Sequence, residues 1–184
     1  MQLRDLVRVS LFAALVAALG LFPRLDLPLA GGVPITLQTL GVMLAGLFLG
    51  ARLGFTAVAL FLFVVLLGAP LLAGGRGGLG LLFSPSAGYL IGYPVGAFVT
   101  GWVLQRTNGT GVFLRALLAC LIGGVIVIHA MGIAGLAWKT GMSLQAALLA
   151  DLVFVPGDLL KAVASAYLAS LMPNQTVAAP RSSS

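Results

Sequence analysis

Pro156-Gly157-Asp158-Leu159-Leu160-Lys161 sets an acid and a base three residues apart, just after a helix breaker, in almost entirely apolar surroundings. On a helix, positions i and i+3 share a face. Proline suits the first helical turn, where its missing N–H is not needed. Asp158 then lies in the first turn, near the positive end of the helix dipole, with Lys161 one turn further along. A carboxylate accepts hydrogen bonds from ligand N–H groups, and an ammonium donates to a carbonyl or carboxylate. In hydrocarbon each such charge costs about 2.5–3.5 kcal/mol, so the few that are kept there usually serve a function. The pair reads as part of a small-molecule site; the alternative is a structural ion pair or a bridge to another helix. On the ligand reading, Asp158→Ala or Lys161→Ala weakens binding without unfolding the chain.

Other polar residues are fewer and more ambiguous. The run Gly74 to Gly80 is glycine-rich but lacks the Gly-Lys-Ser/Thr ending of a phosphate loop, which argues against a nucleotide. It is either a re-entrant lid over a pocket, with Arg76 at its tip, or a plain flexible loop with a solvated arginine. Thr36, Gln38 and Thr39 open an apolar run. A threonine hydroxyl can bond a carbonyl one turn back. Gln38 needs more partners, so it faces protein or water, in a site or between helices. Tyr89, Tyr93, Trp102 and Trp138 fall near the ends of apolar runs, where interfacial anchoring is the default. Tyr89, close to the glycine-rich loop, is also placed to line a pocket. Ala13, Ala14, Ala17 and Ala18 form two overlapping small-xxx-small pairs, which let helices approach closely in lipid. They suit internal packing or docking to a different membrane subunit.

His129 stands without a second histidine, an HExxH motif or a cysteine pair, so no metal site is expected and a packed or hydrogen-bonded histidine is. Ser84 and Ser86 have no evident activating base, which argues against a serine hydrolase. Cys120 is the sole cysteine, which rules out an internal disulfide and suits a packing role.

The elements that must position these groups follow from composition. The chain has 184 residues, 60% hydrophobic and 8% charged, with mean hydropathy +1.15. So few charges cannot cover a water-facing surface, since soluble domains carry about 25%. The sequence divides into apolar runs long enough to cross about 30 Å of hydrocarbon. They do not alternate as barrel strands would. An all-α integral membrane bundle of six spans is expected, near residues 6–22, 35–49, 53–67, 86–104, 112–133 and 156–172. The first run is read as a span rather than a signal peptide, because Pro23-Arg24-Leu25-Asp26 follows where small residues should lie. Trp138 and Lys139 fall in a connector, followed by a short helix near Leu144 to Phe154. Residues 1–172 form one domain, and 173–184 a disordered tail.

The net charge of +6 and pI near 10.5 come from basic residues scattered singly between spans. That pattern signals topology rather than nucleic-acid binding. With both termini cytoplasmic, Arg4, Arg8, Arg52, Arg106, Arg115 and Arg181 lie inside, and Arg24, Arg76 and Lys139 outside. The outer loops are then the long, Gly/Pro-rich ones, which suggests a binding mouth on that side. Pro156 and Gly157 start the last span near the outer face, so Asp158 and Lys161 are expected at the mouth of a pocket.

The ordered motifs Pro34-Ile-Thr-Leu-Gln-Thr39, Gly46-Leu-Phe-Leu-Gly50, Gly68-Ala-Pro70, Ala73-Gly-Gly-Arg-Gly-Gly-Leu-Gly80, Ser84-Pro-Ser-Ala-Gly-Tyr-Leu-Ile-Gly-Tyr-Pro94 and Pro156-Gly-Asp-Leu-Leu-Lys161 run through most of the chain. Each is modest alone; as an ordered set they resemble the BioY family, the biotin-specific S-components of energy-coupling factor (ECF) transporters. The resemblance implies the six-helix S-component fold in the cytoplasmic membrane, with biotin as transported ligand and no cofactor. It implies a pocket under the first and third connecting loops, with Asp158 and Lys161 matching the family's polar pair. Gly74 stands where some relatives carry Asn, so Arg76 or backbone N–H groups are the substitutes there. The resemblance also implies two cytosolic ATPase subunits and a membrane coupling subunit, which docks on Ala13, Ala14, Ala17 and Ala18. The chain itself has no Walker A motif with which to hydrolyse ATP. Two rival readings are an S-component for riboflavin or thiamine and a small membrane enzyme such as an acyltransferase.

Overall fold

A computed structural model describes residues 2–22, 36–109 and 111–172; the first long loop, Pro34, Ile35 and the tail from residue 173 lie outside the described residues. Helix α1 (Leu3–Leu19) opens where the Gln2 N–H donates to Asp5 in the first turn, at 3.3 Å. Helix α2 (Gln38–Leu66) is two arms joined at Gly50. Gly50 has φ 79° and ψ 179°, a conformation open essentially only to glycine. The boundary between the predicted spans 35–49 and 53–67 falls at this kink. Gly101 packs directly on it, since a Cβ there would collide with the backbone of Gly50 and Ala51. Gly50→Ala is expected to destabilise the chain by about 1–3 kcal/mol, read as a lower thermal midpoint in detergent.

The 3-10 turn Leu79–Phe83 precedes α3 (Ala87–Arg106). Helix α4 (Val112–Ala119), a π-helical stretch (Cys120–Val127) and α5 (Ile128–Thr140) then follow as one rod. Its wider π turns reset which face of α5 meets the bundle, and beyond them His129 faces the interior. Gly141, in a left-handed conformation at φ 72°, ends the rod. Trp138 and Lys139 therefore belong to the last turns of α5, not to a connector. The apolar run continues through Ile133-Ala134-Gly135-Leu136-Ala137 to Trp138 with no proline, so the helix continues past the predicted end of the span. Ser143 caps the short α6 (Leu144–Asp151), and α7 (Val155–Leu171) carries Pro156 in its first turn.

Contacts fix the directions. Gly20, Gln38 and Leu71 meet, which gathers the end of α1, the start of α2 and the segment after α2 at one end. At the other end the Arg115 guanidinium donates to the Leu104 carbonyl at 3.1 Å, beside the Gly50 kink. Helix α7 runs from Lys161, bonded to Thr36, down to Ala166 and Ala169, which pack with Leu47, Ala116 and Ala119. The start of α1 and the end of α7 thus share the end that carries Arg52, Arg106 and Arg115. Arg76 and Lys139 lie at the opposite end.

The bundle is not wrapped in polar side chains. Leu11, Phe63, Leu114, Ile126 and Leu160 are among many large apolar residues left exposed. Among the described residues three helices are long and apolar enough to cross a membrane: Gln38–Leu66, Ala87–Arg106 and Val112–Thr140. A surface this apolar is stable in hydrocarbon and not in water.

Candidate functional site

Asp158 and Lys161 meet as the i, i+3 spacing predicts, with Nζ 2.7 Å from Oδ1. Neither stands alone. Lys161 also donates to the Thr36 carbonyl at 2.6 Å and to the Thr39 hydroxyl at 3.0 Å, which uses its three protons. Thr39 passes its own proton to Asp158 Oδ1 at 2.6 Å. The start of α2 and the start of α7 are therefore tied by one carboxylate and one ammonium.

On its other side Asp158 meets a group that sequence reading set aside. Its Oδ2 lies 3.0 Å from His129 Nε2, and His129 Nδ1 lies 2.8 Å from both carboxylate oxygens of Asp151. The Tyr89 hydroxyl donates to Asp151 Oδ1 at 2.7 Å. His129, Asp151, Asp158 and Lys161 are all buried. Ionised carboxylates only accept hydrogen bonds, so between two ionised carboxylates a histidine would donate from both ring nitrogens as an imidazolium. In that arrangement each of the four groups has a partner of opposite sign, as burial demands.

The cluster opens on a small cavity lined by Thr36, Gln38, Thr39, Leu72, Arg76, Ser86, Tyr89, Leu90, Tyr93, Ile128, Phe154, Asp158 and Lys161. Its volume is about 40 Å³, room for a few water molecules. His129, behind the lining residue Asp158, lies about three turns before the end of α5, roughly 16 Å along the helix axis.

The other predicted residues divide. Arg76 lines the cavity and is no solvated loop tip: its Nη1 donates to Ser86 Oγ at 3.3 Å and its Nε to the Ala73 carbonyl at 3.4 Å. A backbone bridge between Leu72 and Arg76 folds it inward, and Gly74 and Gly75 turn the chain with φ of 80° and 69°. Gly74 itself is exposed at that turn and is not among the lining residues. Gln38 lines the cavity while its amide ties three segments together. It donates to Val16 and Leu71 carbonyls at 3.4 and 3.2 Å and accepts from the Ala73 N–H at 3.4 Å. Tyr89 lines the cavity rather than anchoring at an interface. On α1, Ala13 is buried and Ala17 packs against the core, whereas Ala14 and Ala18 are exposed.

Asp151 escaped the sequence reading altogether. A signal existed: the chain has only four acidic residues and one histidine, and Asp151 stands seven residues before Asp158. In an apolar chain that scarcity points to mutual pairing. Among the described residues no group of three or more His, Cys, Asp or Glu is placed to hold a metal ion.

Comparisons with known proteins agree over nearly the whole chain. The BioY family model matches residues 1–177. The biotin transporter BioY of Rhizobium etli is 46% identical over 91% of this chain and 92% of its own. The probable biotin transporter BioY of Bacillus subtilis is 44% identical over 92% of this chain and 90% of its own. The crystal structure of the S-component for biotin from an ECF-type ABC transporter superposes with TM-score 0.85 at 31% identity, covering 93% of this chain and 91% of that one.

Proposed function

This chain belongs to the BioY family, and we propose that it is the biotin-capturing S-component of an ECF transporter in the cytoplasmic membrane. The observation that carries the proposal is the convergence of Asp158, Lys161, Arg76 and Tyr89 on one cavity between apolar walls. Biotin offers two ureido N–H groups, a carbonyl, an apolar thiophane ring and a carboxylate. Asp158 Oδ2 receives one hydrogen bond, from His129, and keeps a lone pair for a ureido N–H. Leu72, Leu90, Ile128 and Phe154 suit the ring. Arg76, on the loop side, suits the carboxylate. Polar groups left unpaired by a wrong ligand penalise it, which gives selectivity.

On this reading the six helical columns each cross the membrane. The arginine-rich end, with both termini, faces the cytoplasm, and the cavity opens outward. Residues 1–172 act as one domain. The protein is a transport subunit, not an enzyme, and takes its energy from two cytosolic ATPase subunits through a membrane coupling subunit. Ala14 and Ala18 present the docking face; Ala13 and Ala17 support it from within. Toppling of the whole subunit in the membrane then releases biotin inside.

Expression with coupling and ATPase subunits in cells that lack biotin uptake should give accumulation of labelled biotin. Unlabelled biotin should suppress it at least about tenfold, and riboflavin and thiamine should leave it unchanged. Accumulation of either other vitamin, or of no biotin, contradicts the assignment.

A further inference from the structure

Two residues beside the cavity, Asp151 and His129, are not among those that line it. Yet they form an unbroken chain to the carboxylate that does, from the Tyr89 hydroxyl to Asp151, to His129 Nδ1, and from Nε2 to Asp158 Oδ2. The ring of His129 is held as tightly as its nitrogens. Tyr89 meets it edge-on with centroids 6.3 Å apart, and Phe154 packs on Tyr89 at 5.8 Å. Tyr89 can lie there because residue 132 is glycine; a Cβ at that position would strike the ring.

Packing alone does not require this chain. Well-packed apolar residues of similar volume are often as stable as a buried ion pair or more so. Lys161 by itself already balances the charge of Asp158. What His129 adds is directional: it engages one lone pair of Oδ2 and fixes the orientation of the carboxylate that lines the cavity. Oδ1 is meanwhile taken by Lys161 and Thr39. The remaining capacity of Asp158 is a single acceptor position on Oδ2. Asp151, in turn, is the counter-charge that lets His129 donate from both nitrogens in a buried setting.

We propose that Asp151 and His129 form a positioning dyad that fixes Asp158 as the acceptor for a ureido N–H of the bound vitamin. The dyad makes α6, which carries Asp151, part of the recognition apparatus without touching ligand. The proposal rests on the biotin reading of the cavity.

The test uses full-length protein purified in detergent, with biotin titrated by calorimetry and stability read by thermal unfolding. Wild type comes first, because absence of biotin binding there overturns the functional assignment itself, separately from the dyad. His129→Gln leaves Asp151 and Asp158 as neighbouring buried anions and should lower both the thermal midpoint and the affinity. His129→Gln with Asp151→Asn removes one charge of each sign. Its thermal midpoint should return toward wild type, while biotin affinity stays at least about 30-fold weaker. Methylating the ureido nitrogens of biotin should weaken binding to wild type at least about tenfold and to the double variant less than about threefold. Should His129→Gln fail to fold, the double variant still carries the comparison. Recovery of wild-type affinity in the double variant, or an undiminished methylation penalty, overturns the dyad and leaves His129 and Asp151 as structural residues.

Discussion

Asp158→Asn lowers biotin affinity at least about 100-fold while the chain still folds, the loss of a hydrogen-bonded charge at the centre of a buried network. The reason is geometric. One oxygen of Asp158 receives Lys161 and Thr39, and the other receives His129 with a lone pair to spare. An asparagine has one oxygen, which Lys161 and Thr39 claim. Its NH2 then faces the N–H of His129 and the N–H of the ligand, donor against donor. Asp158→Ala is a harsher change. It leaves Lys161 and His129 as buried cations short of an acceptor, a kind of loss that costs about 3–5 kcal/mol. The sequence-based expectation that alanine here spares the fold therefore gives way: affinity and thermal midpoint should fall together in Asp158→Ala and separate in Asp158→Asn. Calorimetry beside thermal unfolding reads both. Asp158→Asn binding within about threefold of wild type would make the carboxylate structural.

Ala14→Trp with Ala18→Trp should cut coupled biotin uptake at least about tenfold, because bulky side chains hold helices apart at a small-residue surface. Biotin affinity should not change, since both alanines are exposed on the outer face of α1, away from the cavity lining. Ala13→Trp provides the contrast. Ala13 is buried in the core with Val16, Val42 and Phe61. Overpacking there costs about 1–3 kcal/mol or more, so this variant should show a lower thermal midpoint and reduced expression. Labelled-biotin uptake in cells, set against binding to the purified protein, separates the two effects. Uptake at wild-type level in the Ala14/Ala18 variant would remove the docking assignment.

Much of this was legible in the chain because lipid simplifies the problem. Apolar runs of spanning length give the columns. The turn at Gly50 was readable from Gly50-Ala51-Arg52. Asp158 and Lys161 were readable because both lie within one helix, where spacing fixes proximity. Arg76, Tyr89 and Gln38 were readable as polar groups near loops, and all three do line the cavity. What Gln38 bonds to was not, because its partners are carbonyls on α1 and after α2, 22 and 33 residues away. The His129–Asp151–Asp158 chain was hidden for a related reason. It joins α5, α6 and α7, and depends on a π-helical stretch that sets the facing of α5 and on a short helix that folds back. Neither device has a spacing signature. The division of the α1 alanines needed the packed bundle as well, since four small residues at i, i+1, i+4 and i+5 span two faces of one helix.

Equilibrium binding to the purified chain is the most direct measurement. Full-length protein in detergent, without coupling or ATPase subunits, is titrated by calorimetry with biotin, riboflavin and thiamine in turn. One biotin per chain, bound with a dissociation constant below about 1 μM, and no heat from the other two vitamins is the predicted result. No binding of biotin, or comparable binding of riboflavin or thiamine, would contradict it.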